Sequence, residues 1–148
     1  MELGDFILRI GVALFAGLLI GVEREIRGKH AGLKTNALVS LGACVFILLS
    51  LQFRGEASVD ITRVLGQIVT GIGFIGAGAI LQHGKSITGL TTAATIWCSA
   101  AAGCLAAFDM YKQVAVLAVV ILVTNLGFSY LEHHLKRKKL MDEDKDLD

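Results

Sequence analysis

Hydrophobic positions along this chain fall into five long runs separated by short polar stretches. The runs lie at about Asp5–Val22, Thr35–Phe53, Arg63–Gln82, Gly89–Phe108 and Lys112–Leu131. Each approaches the roughly 20 residues that an α-helix needs to cross the hydrocarbon layer. The connections EREIRGKHAGLK, RGEASVD and HGKS are polar. The pattern predicts an all-α, polytopic membrane protein with about five transmembrane helices. Only a helix satisfies its own backbone hydrogen bonds in lipid over such a length.

Composition supports that reading. Of 148 residues 54% are apolar and 18% charged, with no proline and 17 glycines. A soluble domain of this size has too little interior for so much apolar surface. Without proline, any kink must come from glycine, serine or threonine. The first run has no basic segment before it and is followed by GVERE, which argues against a cleaved signal peptide.

Charge sets an expected orientation. Arg24, Arg27, Lys29, Lys34 and Lys85 fall on one side, with Lys136, Arg137, Lys138, Lys139 and Lys145 of the tail. Arg9, Arg54, Arg63 and Lys112 fall on the other. The positive-inside rule then places the N-terminus outside and the C-terminus in the cytoplasm. The domain is expected to span 1–131, with 132–148 a charged cytoplasmic tail. Its basic KRKK block sits against anionic headgroups and its acidic end is disordered.

Small residues give a second layer. Ala13, Gly17 and Gly21 recur every four positions, a smooth face suited to close helix packing and the simplest candidate for self-association. Gly71, Gly73, Gly76 and Gly78 crowd two turns of the third run. Either neighbours pack tightly there, or part of the helix unwinds towards a ligand. Their GxGxxG-like spacing lacks the strand–turn–helix context of a dinucleotide site.

Polar groups inside the runs are costly in lipid and are expected to collect. Glu23, Lys34 and Asn36 could meet Thr91 and Thr92 near the cytoplasmic side, with Thr95, Cys98 and Gln67 deeper. Glu23 and Arg27 have the spacing of a helical ion pair, as do Glu25 and Lys29. Glu25 is expected to be solvated. Arg9 could snorkel or turn inward, and Trp97 is expected to pack between helices. Cys44, Cys98 and Cys104 read as small core hydrophobes, and the adjacent His133 and His134 diverge on a helix. No metal-ligand spacing, catalytic motif or basic stripe with interleaved aromatics appears. The expectation is therefore no metal, no cofactor, no enzyme and no nucleic-acid partner.

The strings LLIGVERE, AGLKTNALVSLGA, QIVTGIGFIGAGAIL and GLTTAATIWCSAAAG, in this order from Arg9 to Gly103, resemble the signatures of the bacterial MgtC/SapB family. The resemblance implies a multi-pass inner-membrane protein with a five-helix domain, linked to growth in low magnesium and, in pathogens, to survival inside host cells. Larger members add a soluble cytoplasmic domain, which this chain is expected to lack. Lys34 stands where many members have arginine, and Thr91 where some have asparagine. Cys98 matches a cysteine that follows the tryptophan in part of the family. Two functions are then in view. One is a non-enzymatic regulatory protein in adaptation to low magnesium or stress, binding another membrane protein or a second copy of itself. The other is a small dimeric transporter or ion-conducting protein with a polar path near the glycine-rich third helix. Convergence of Glu23, Gln67 and the threonines on one cavity would favour the second.

Overall fold

The computed structural model describes residues 1–56, 60–84 and 86–145, with side chains up to 128 except that of His83. Five helices follow the five apolar runs: α1 (Leu3–Ile26), α2 (Leu33–Leu51), α3 (Ile61–Gly78), α4 (Leu90–Ala107) and α5 (Tyr111–Lys145). All five are long and apolar enough to cross a membrane, α5 through Tyr111–Phe128.

Small residues decide which helices form the centre. Half of the spanning window of α2 and of α4 is buried, against 6% of α3. Ala13, Ala16 and Ile20 of α1 meet Ala43, Cys44 and Ile47 of α2 and Ala100, Ala102 and Ala106 of α4. Gly17 lies so close to α2 that an added Cβ would stand 2.7 Å from the Ala37 Cα, and one at Gly21 would stand 2.7 Å from the Leu33 Cα. The Ala13–Gly17–Gly21 stripe is therefore occupied inside the protomer, and a second copy has no access to it. Gly103 of α4 approaches the Ser40 backbone just as closely. This backbone proximity lets van der Waals contact hold helices together where lipid removes the hydrophobic drive.

α1 and α4 run antiparallel, tied at both ends by arginines of α1. Arg24 near the C-terminus of α1 bonds Thr92 in the first turn of α4. Arg9 near its N-terminus donates to the Ala107 carbonyl at 2.7 Å and pairs with Asp109. Arg9 thus turns inward and closes the C-terminus of α4, where a cation suits the helix dipole. Asp60 caps α3, accepting from the Thr62 amide at 2.9 Å and from its hydroxyl at 2.6 Å. Those two bonds hold its carboxyl below the usual range.

Three features depart from the sequence reading. The third apolar run predicts a helix to Gln82, but α3 ends at Gly78. Leu81–His83 then pairs antiparallel with Ser86–Thr88 in a short hairpin, β1 and β2. Trp97 is 51% exposed on the lipid-facing surface and lines a shallow apolar groove with Leu65, Val69 and Phe108. α5 continues to Lys145 through the segment read as a tail; of the end expected to be disordered, 146–148 lie outside the described residues.

Candidate functional site

α1 runs one turn beyond its apolar stretch, carrying Glu23 and Arg24 into the packed interior at 8% and 3% exposure. Glu23 accepts from the Arg27 Nε at 3.1 Å, one helical turn on, and from the Asn125 amide of α5 at 3.2 Å. Arg24 points the other way. Its guanidinium donates to the Thr92 hydroxyl and, at 3.4 Å, to the His30 carbonyl, while its Nε is buried without a partner.

Between these groups opens a polar cleft of about 670 Å³. It is lined by Glu23 and Arg24 of α1, by Arg27 at its C-cap, by Lys29 and His30 of the loop, by the first turn of α4, and by Asn125 and Phe128 of α5. Deeper in the bundle the polar contacts continue without a cavity. Asn36 donates to the Ala31 and Gly32 carbonyls and accepts from the Ser99 hydroxyl at 2.7 Å. Ser40 donates to the Ala13 carbonyl at 2.7 Å. Each buried polar atom so paired avoids the few kcal/mol, roughly 1–3, that an orphan costs.

The expected cluster is thus brought together only in part. Glu23, Thr91 and Thr92 line the cleft, Thr92 buried and Thr91 exposed towards it. Asn36 is completely buried but meets Ser99 rather than Glu23. Thr95 is buried and bonds back to the Thr91 carbonyl at 2.8 Å, contributing to its own helix alone. Cys98 is half-buried and packs against the core. Lys34 is exposed and outside the cleft. Glu25 is exposed, and its carboxylate accepts the first amide of α2, that of Leu33, at 3.2 Å.

Gln67 is exposed and lies in a different groove, of about 510 Å³ between α2 and α3. Its walls are apolar apart from Gln67, with Val39, Gly42, Phe46, Gly71 and Ile75 among them. α3 is an unbroken helix through its glycines. Gly76 packs on Ala93, whereas Gly71, Gly73 and Gly78 have no atom within 4 Å of where a Cβ would stand. The glycine-rich stretch neither unwinds nor is packed from several sides within the protomer.

Arg24, Ser99 and Asn125 complete the polar contacts. In the sequence Arg24 reads as an orientation charge, and nothing marks Ser99 out. The usable signal was the alternation GVERE, which on a continuing helix turns Glu23 and Arg24 to different inner neighbours. Among the described residues no group of three or more His, Cys, Asp and Glu could hold a metal ion.

Five apolar helices around a core of small residues, with a polar cleft at one end, define a multi-pass helical membrane protein. Comparison with known proteins makes the class specific: the chain belongs to the MgtC family, whose model matches residues 10–134. It is similar to Protein MgtC of Salmonella typhimurium, 45% identical over 126 residues that cover 85% of this chain and 53% of that protein. It is similar also to Protein MgtC of Brucella abortus, 48% identical over 113 residues, 76% of this chain and 47% of that one. An uncharacterised protein of Synechocystis is 38% identical over 140 residues, 95% and 59% of the respective chains. The chain spans about half the length of the curated relatives it matches. No solved structure matches it.

Proposed function

We propose that this chain is a non-enzymatic regulatory protein of the bacterial inner membrane. It acts in adaptation to low magnesium or stress by binding another membrane protein. The magnesium and inner-membrane parts of this reading rest on the family resemblance. The binding part rests on the outer face of α3, where Gly66, Thr70, Gly73 and Ala77 form an exposed stripe at helical spacing. Such a stripe of small residues, between the exposed Val69 and Phe74, admits the backbone of a neighbouring helix to close range.

The observation against a transport path is the separation of the two cavities. Gln67 lines the apolar groove, Glu23, Thr91 and Thr92 line the polar cleft, and the two share no residue. An ion path would need polar groups strung through one passage.

Gly73→Leu tests the reading in a deletion strain grown in low magnesium. The variant should insert in normal amount yet fail to restore growth, and the wild-type protein in liposomes should pass no ion from a panel of cations and anions. Restored growth by Gly73→Leu, or a saturable flux, would overturn it. A doubled mass that Gly73→Leu abolishes would identify the neighbour as a second copy of this chain.

A further inference from the structure

The first turn of α4 opens into the polar cleft without a side-chain cap. Gly89, at its N-cap, has a left-handed backbone (φ +89°), and a Cβ there would collide with the Ala79 carbonyl, so no capping side chain fits. The first amide of the helix to find an acceptor within it is that of Ala93, bonded to the Gly89 carbonyl at 2.9 Å. The amides of Leu90, Thr91 and Thr92 precede it and carry the positive end of the helix dipole.

Arg24 supplies the independent observation. It is 3% exposed, its Nε has no partner, and among the described residues no carboxylate pairs with it. The adjacent Glu23 is engaged by Arg27 and Asn125. Thr92 and the His30 carbonyl fix the guanidinium beside the α4 N-terminus, on the wall of the same cleft. A buried cation whose hydrogen bonds all go to neutral groups, with Glu23 nearby but committed elsewhere, is expensive unless a further anion joins it. A planar guanidinium beside free helix amides suits the tetrahedral oxygens of a phosphate group. Arg27 and Lys29 bring the cations lining the cleft to three against the single carboxylate of Glu23. A strut between α1 and α4 would need only the Thr92 bond, and would gain nothing from this excess of positive charge at an uncapped helix end.

We propose that the cleft binds a phosphate group, either inorganic phosphate or the headgroup of an anionic phospholipid, between Arg24 and the first turn of α4. Ile87, Leu90 and Phe128 form an apolar flank of the cleft against which the acyl chains of a lipid can lie. The inference rests on the cleft alone and not on the regulatory reading, so either can fail without the other.

The test is calorimetric titration of the purified protein in dodecylmaltoside, with inorganic phosphate and separately with dihexanoyl phosphatidylglycerol. One probe should saturate at a single equivalent, and which one does so identifies the source. Arg24→Gln should weaken binding at least about tenfold, the scale of a lost charge-assisted pair, and the exposed Lys29→Ala about threefold. Both are compared at wild-type elution volume and melting temperature; if Arg24→Gln does not fold, Lys29→Ala decides. Lys138→Gln with Lys139→Gln, in the basic block of α5, should change nothing. Absence of saturation by both probes, binding indifferent to the cleft substitutions, or a loss that follows the α5 block would overturn the proposal.

Discussion

The Ser99 hydroxyl donates to the side-chain carbonyl of Asn36 at 2.7 Å, and neither residue is exposed to solvent or lipid. That bond ties the first turn of α2 to the middle of α4, while the Asn36 amide holds the Ala31 and Gly32 carbonyls at the end of the α1–α2 loop. Ser99→Ala leaves the Asn36 oxygen orphaned where no water reaches. It should lower stability by about 1–2 kcal/mol, above the average hydrogen bond between membrane helices because the acceptor is left dry. Asn36→Leu removes both ends of the network and should cost more. Unfolding in graded sodium dodecyl sulfate, followed by circular dichroism, measures the two. Equal stability of Ser99→Ala and wild type would show that the bond contributes nothing.

Two glycine substitutions should separate folding from association. Gly17→Ala puts its methyl 2.7 Å from the Ala37 Cα, so α1 and α2 must part. A loss of about 2 kcal/mol is expected, typical of overpacking against backbone that cannot give. Gly73→Ala meets nothing within 4 Å and should leave the melting temperature unchanged or slightly raised. A stable Gly17→Ala protein would mean that the α1–α2 contact is looser than described.

The helices were legible because each needed only an apolar run long enough to span lipid, and Leu3–Ile26 to Tyr111–Phe128 all meet that test. The hairpin was not, because Leu81 extends the apolar run and three-residue strands leave no alternation to read. Nor was the role of Arg24. A charged residue just past an apolar run looks like an orientation signal, and its burial depends on α4 arriving from 68 residues away. Glycines recur at helical spacing in α1 and crowd more densely in α3, yet density does not say which are packed. Only packing tells that Gly17 is filled by α2 whereas Gly73 is open.

Orientation follows from charge and is directly testable. Lys29, in the α1–α2 loop, and Glu56, between α2 and α3, are both exposed. Antiparallel spans set them on opposite sides, and the positive-inside rule predicts that Lys29 is the cytoplasmic one. Single cysteines at these positions, in a background with Cys44, Cys98 and Cys104 replaced, should differ towards an impermeant thiol reagent. Glu56→Cys should label in intact spheroplasts and Lys29→Cys only after lysis. The reverse pattern would invert the protein, and labelling of both from outside would remove a span.

Glu23 is the residue at which structure and function should part company most clearly. Its carboxylate is shielded, one oxygen facing Arg27 and the other the Asn125 amide. Glu23→Gln keeps the shape and an oxygen for Asn125, but leaves Arg27 without its counter-ion. Breaking a fully buried pair costs about 3–5 kcal/mol. Arg27 is nearly a third exposed, so solvent screens the loss and about 1–2 kcal/mol is the reasonable expectation. The variant should therefore insert and fold, with oligomeric mass unchanged, yet fail to restore growth in low magnesium, because the charge pattern of the cleft has changed. Glu25→Gln is the matched control: its side chain is exposed, and the glutamine oxygen can still accept the Leu33 amide, so function should survive. If the two substitutions behave alike, or if Glu23→Gln acts only by reducing the amount of folded protein, Glu23 is a structural charge and the cleft loses its claim to be the functional centre.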